Sequence, residues 1–133
     1  MYDPLIDIPD RNARKWAMLC HLGGLARITL VPFTGILLPL IVWLAKQDEH
    51  PYIDEQGREA VNFQFTLSVM SVATWLTIGA LKWIPIIGLL RYPLYILLPL
   101  IWIMAIGGAI YAGLRANEGE DFRYPFSFNI CRR

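Results

Sequence analysis

The chain is poor in charge. Of its 133 residues only 17% are Asp, Glu, Lys or Arg, against roughly 25% in an ordinary soluble domain. The net charge is +1 and no run of Lys or Arg forms a stripe, so the electrostatic footprint needed to hold nucleic acid is missing. Cysteine is scarce. Cys20 and Cys131 stand at opposite ends of the sequence, which excludes a disulfide framework and a cysteine-based metal cluster. Catalytic motifs are lacking too: there is no nucleophile elbow, no H-E-x-x-H and no phosphate-cradling glycine loop. The carboxylates Asp48, Glu49, Asp54, Glu55 and Glu59 crowd one polar segment, where solvation is the simpler reading than acid–base work. Neither an enzyme nor a cofactor is expected. Arg11, Arg14 and Lys15 precede an apolar run from Trp16, as at the front of a signal peptide. No small-residue cleavage site follows, so no cleaved targeting segment is expected.

What the chain has is apolar length. It is 56% hydrophobic with a mean hydropathy of +0.42, enough for one membrane domain over 1–133. Residues 60–81 and 92–114 carry no charge, and each matches the roughly 20 residues that span about 30 Å of hydrocarbon. Residues 16–45 are longer and contain Arg27, Pro32, Gly35 and Pro39. One straight helix there would run about 45 Å, too long for a single comfortable pass. Pro32 and Gly35 mark a break. The reading is an all-α integral membrane protein with four transmembrane helices, near 12–28, 34–46, 54–82 and 92–116. The first two form a short hairpin, and an extended tail covers 117–133.

Charge placement favours this division. With four crossings, nine of the 12 basic residues share one side with both termini, and Arg27, Lys82 and Arg91 lie opposite. With three crossings the division is nearly even. The positive-inside rule therefore puts both termini in the cytoplasm. All 11 acidic residues fall on that side as well. Trp16, Trp43 and Tyr111 suit the inner interface, and Trp83, Tyr92 and Tyr95 the outer one.

The segment 46–64 is the most informative. Asp54 is suited to cap a helix, with Glu55 near its positive end, and Asp54 and Arg58 have the i,i+4 spacing of an ion pair. Glu55, Glu59, Asn62 and Thr66 recur on one face, and Asn62 and Gln64 need partners below the headgroups. This face reads either as glue between helices or as a ligand, lipid-headgroup or ion site. Asn62 is expected to bond another helix. His21 adjoins Cys20, but neighbours on a helix point apart, so a hydrogen-bonded histidine without metal is expected. Gly23 and Gly24 allow a neighbouring helix to approach closely. Arg27 is expected at the outer end of the first helix, snorkelling to water, unless it is a functional intramembrane charge. Ala105 with Ala109, and Gly108 with Ala112, have the small-xxx-small spacing of tight helix contact.

The tail alternates. Phe122, Tyr124, Phe126, Phe128 and Ile130 are apolar, with polar residues or proline between. Period two predicts an extended strand with one apolar face, begun after Gly119 ends the last helix. It offers either a free edge for docking a partner or an anchor lying on headgroups.

Trp16-Ala-Met-Leu-Cys-His21-Leu-Gly-Gly-Leu25, then Gly35, Pro39, Trp43-Leu44 and Lys46-x-Asp48, resembles the bacterial relatives of the Tic-twenty chloroplast import component. So do Asp54-Glu-Gln-Gly-Arg-Glu-Ala-Val-Asn62-Phe-Gln64 and Ala116-Asn-Glu-Gly-Glu120 with Tyr124-Pro125. The resemblance covers about residues 14–126. It implies a four-helix membrane fold with both termini on one side, no catalytic residues, and kinship with plastid protein import; some relatives serve magnetosome membranes. Fold carries over from such likeness better than activity. The function expected is a non-enzymatic accessory or scaffold subunit of a larger complex, multi-pass in a bacterial inner membrane, in contact with lipids and with other membrane proteins or itself. The alternative is an element of a protein-translocation or transport pathway, with the 55/59/62/66 face lining it. Polarity along that helix fades at Val69, Val72 and Leu76, against a through-channel.

Overall fold

The computed structural model describes residues 9–29 and 33–131. Four α-helices appear, α1 (Arg11–Leu22), α2 (Thr34–Lys46), α3 (Pro51–Leu81) and α4 (Arg91–Asn117), with 3-10 segments at Gly23–Thr29 and Ile87–Leu90.

Each boundary has a local cause. Asp10 caps α1, its carboxylate accepting from the Ala13 N–H at 2.7 Å. α1 then tightens into 3-10 geometry at two glycines whose neighbours leave no room for a side chain. A Cβ on Gly23 would lie 2.9 Å from Pro39, and one on Gly24 would lie 2.2 Å from Gln64 Nε2. α3 starts three residues before the expected Asp54. His50 is its cap, with Nδ1 accepting from the Tyr52 N–H at 3.1 Å, and Pro51 takes the first position, where its missing N–H costs nothing. Asp54 instead accepts from Trp43 Nε1 at 2.9 Å and pairs with Arg58, tying α2 to α3. Gly119, at φ +84°, ends α4. The Glu120 N–H reaches the Arg115 carbonyl and the Gly119 N–H the Ala116 carbonyl, both at 3.1 Å, the Schellman pattern that satisfies orphan carbonyls.

The helices meet through small residues. Ala105, Ala109, Ala112, Gly113 and Ala116 of α4 are buried. They face Ala13, Ala17 and Cys20 of α1 and the body of α3. Phe63, Leu67, Ile101, Ala105, Ala112 and Tyr124 form the main apolar cluster.

Two helices are long and apolar enough to cross a membrane, α3 and the last helix with its 3-10 lead-in; α2 is apolar but shorter. Only 33% and 17% of the most apolar windows of the two long ones are buried. The core helix of a soluble protein would be mostly covered, so these exposed faces are suited to lipid. At 1.5 Å per residue α2 extends only about 20 Å.

The strand expected in the tail is absent; among the described residues no strand occurs. Residues 120–131 form no regular element, with a bend at 125–126, and the partner along their path is a helix, which offers side chains instead of a ladder.

Candidate functional site

The polar face of α3 is a track for the chain's own tail. Glu55 pairs with Arg123 at 2.8 Å. Glu59 Oε1 accepts the Tyr124 N–H at 2.7 Å, and Thr66 Oγ1 accepts the Phe128 N–H at 2.8 Å. Asn62 Oδ1 accepts the N–H groups of Ile130 and Cys131 at 3.2 and 2.9 Å, and its amide donates to the Cys131 carbonyl at 3.5 Å. Backbone groups at this depth need partners wherever they come from, and three side chains of one helix face supply them. Asn62 is buried, as expected, but its partner is the tail and not another helix.

The tail's aromatic residues divide instead of sharing one face. Tyr124 is 8% exposed and stacks on Phe63, centroids 3.6 Å apart and planes 2° from parallel. Phe122 packs at its edge. Phe126 and Phe128 are 72% and 58% exposed. The bend at 125–126 rotates the alternation, so a single apolar face resting on the bundle does not form.

His21 sits in a chain of polar contacts that joins three helices and the tail. Its Nε2 lies 3.0 Å from Gln56 Oε1, and Gln56 Nε2 donates to Asp121 Oδ1 at 2.8 Å. Since the Gln56 oxygen can only accept, Nε2 carries the proton. His21 Nδ1 then accepts from the Tyr124 hydroxyl at 3.1 Å, which also lies 3.2 Å from the Gly108 carbonyl. Burial, with the Glu59 carboxylate nearby, pushes the Tyr124 phenol up, so it remains a donor. Both ring nitrogens of His21 are thus engaged inside the chain. Among the described residues no group of three or more His, Cys, Asp or Glu is placed to hold a metal.

Arg27 follows α1 beyond the point where the α-helix gives way to a 3-10 turn. It lies against the middle of α3, in the 3-10 segment, and donates to the Gln64 carbonyl at 3.1 Å, Gln64 Oε1 at 3.3 Å and Ser68 Oγ at 2.7 Å. Its expected escape to water is replaced by these bonds. Gln64 also reaches the Ala105 carbonyl at 3.4 Å, so the 3-10 segment, α3 and α4 are stitched at one level. Beyond Arg27 a cavity of about 450 Å³ opens between the hairpin tip and the far halves of α3 and α4.

The structure therefore brings Glu55, Glu59, Asn62 and Thr66 together with the tail, and Arg27 together with Gln64. Arg58 pairs with Asp54 and lines a cavity with Glu55, Glu59 and Asn62. Gln56, Asp121, Ser68 and the hydroxyl of Tyr52, which donates to the carbonyls of Ala116 and Glu120 at 3.1 and 2.7 Å, were not singled out by sequence. For Ser68 a signal was present: Gln64, Ser68 and Ser71 step by four and three along α3 as a second polar stripe beside the first.

Compared with known proteins, residues 12–131 match the profile of the magnetosome magnetite crystal formation protein family (MamF/MmsF). No curated protein and no solved structure matches. The assignment to the Tic-twenty relatives is thereby corrected: the family that spans the chain is the magnetosome one. The segment 54–64 that carried the resemblance serves here to fasten α2 and the tail to α3, a structural task that does not mark protein import.

Proposed function

The chain belongs to the magnetosome magnetite crystal formation protein family, and on that premise we propose that it is a non-enzymatic, multi-pass membrane scaffold of the assembly that forms magnetite crystals. The observation that carries this reading is how the polar side chains are used. His21, Gln56, Asn62, Gln64 and Thr66 are buried and bonded within the chain, while the outward surface of α3 and α4 is apolar. Used in this way, such residues build a shape. The face that would have lined a transport path bonds the tail.

In this reading α3 and α4 cross the bilayer. The α1–α2 hairpin enters from the cytoplasmic side and returns to it without reaching the far surface, because α2, at about 20 Å, falls short of a hydrocarbon core of about 30 Å. Both termini and the 46–59 loop stay cytoplasmic, with nine of the 12 basic residues, as the positive-inside rule asks. The membrane is the bacterial inner membrane or a magnetosome membrane continuous in topology with it.

Two experiments test this. In a variant lacking Cys20 and Cys131, single cysteines at 50, 86 and 33 are treated with an impermeant thiol reagent. Position 50 should react only from the cytoplasmic side, 86 only from the far side and 33 from neither; labelling of 33 from the far side would mean a full crossing. Deletion of the coding sequence in a magnetite-forming bacterium should change crystal size or shape by electron microscopy, restored by the intact chain. Unchanged crystals would refute the role.

A further inference from the structure

Arg27 holds a charge that no carboxylate of the described chain neutralises. Its Nε and Nη2 are engaged by Gln64 and Ser68, and among the described residues Nη1 makes no hydrogen bond. It stands at the floor of the cavity of about 450 Å³, whose walls include Val72, Trp75, Leu98 and Trp102, with Ser71 beside the floor. These walls belong to the halves of α3 and α4 that the hairpin does not cover. The cavity is thus an apolar notch in the side of the bundle with one cation at its base.

Depth decides what fits. Ser68, which Arg27 touches, lies about 12 Å inside the charge-free stretch from its cytoplasmic end and about 20 Å from the far end. A lipid phosphate sits at the surface of the roughly 30 Å core, and would have to be drawn far into it. A charge at this level is costly, and such charges pair with one another when they can. The counter-charge cannot come from the membrane-embedded part of a second copy. Glu59 and Glu118 are consecutive acidic residues in the sequence, and nothing between them carries negative charge.

We propose that this notch seats a transmembrane helix of a different protein, one that carries an Asp or Glu near mid-bilayer and pairs it with Arg27. Apolar side chains on either side of that carboxylate lie against Val72, Trp75, Leu98 and Trp102. The inference rests on the membrane placement above and gives the scaffold its partner chemistry: an acid within an otherwise apolar crossing helix.

The test uses the full chain in phosphatidylcholine vesicles, labelled at Cys131, and a synthetic Leu/Ala transmembrane peptide with one Glu at its centre. Energy transfer should report association roughly tenfold tighter for the Glu peptide than for a Gln peptide. Arg27→Gln should erase that difference. Ser71→Phe, which fills the notch and leaves the Arg27 contacts in place, should weaken binding of the Glu peptide by a similar factor. Equal binding of the Glu and Gln peptides overturns the proposal. So does displacement of the Glu peptide by phosphatidylglycerol, which would make a lipid phosphate the occupant. Either failure leaves the crystal phenotype standing, whereas labelling of position 33 from the far side would remove the depth on which the pairing depends.

Discussion

The two ends of the bundle are built on different terms. At the end that carries the tail, four helices converge, and polar groups are matched in detail: His21 with Gln56 and Tyr124, Asn62 with residues 130 and 131, Tyr52 with the end of α4. Toward the far side only α3 and α4 remain, and Leu76 and Ile96 are 70% and 63% exposed. The half that carries the tail is specified by contacts that tolerate little change. The far half is specified mainly by being apolar, and its remaining requirements come from what surrounds it. A protein divided this way keeps a rigid, self-sufficient end and an end that adapts to lipid or to a partner helix.

The sharpest way to break this contrast is to crowd the rigid end. A Cβ on Gly57 would lie 2.5 Å from the Trp43 ring, and Trp43 is held by its bond to Asp54. Gly57→Leu should dislodge α2 and destabilise the protein by about 3 kcal/mol, the upper range for overpacking, read as thermal unfolding in mild detergent. Next comes His21→Phe, which keeps bulk but strands the Gln56 oxygen. We expect a loss of about 1–3 kcal/mol, the cost of a buried acceptor without a donor, and no change in metal content by elemental analysis.

Asn62→Leu removes three contacts to the tail. Hydrogen bonds inside membrane proteins contribute about 0.6–2 kcal/mol, so the effect should be smaller and local. Cys131 should react faster with thiol reagents while the helices persist; unchanged reactivity would show that the tail is held by Tyr124 alone. Smallest are Gly79→Ala and Gly107→Ala on the open surface of α3 and α4, where an added Cβ meets nothing within 4 Å. These should be neutral or stabilising by up to ~1 kcal/mol. A loss as large as that of Gly57→Leu would mean that this surface is as specified as the end that carries the tail.

Much of this was legible in the sequence, and the residues show why. The long apolar stretches of α3 and α4 announce themselves by length alone, and Gly119 by its position after the last helical turn. The small residues of α4 follow the helical period, so the packing face was readable before any partner was known. Other features depend on separations that no local pattern encodes. Asn62 plainly needed a partner, but only the fold brings residue 131 beside it. The tail's alternation was real, yet a strand forms only against another backbone, and here α3 supplies side chains. The place of Arg27 depends on where the first helix tightens, and that turn falls at Gly23, against Pro39 of α2, a contact no local pattern encodes.

By itself the sequence determined that this is a helix-dominated, lipid-suited chain, with its acidic residues and most of its basic residues near its ends and in one segment. Hydropathy and charge act along the chain and need no neighbours to be read. Only the tertiary structure decided that the polar face of α3 is taken up by the tail, that His21 joins α1, α3 and the tail, and that Arg27 stands over a notch at mid-bundle. Hydrogen bonds and packing require atoms within a few ångströms, and which distant residues come that close is settled by the whole fold at once.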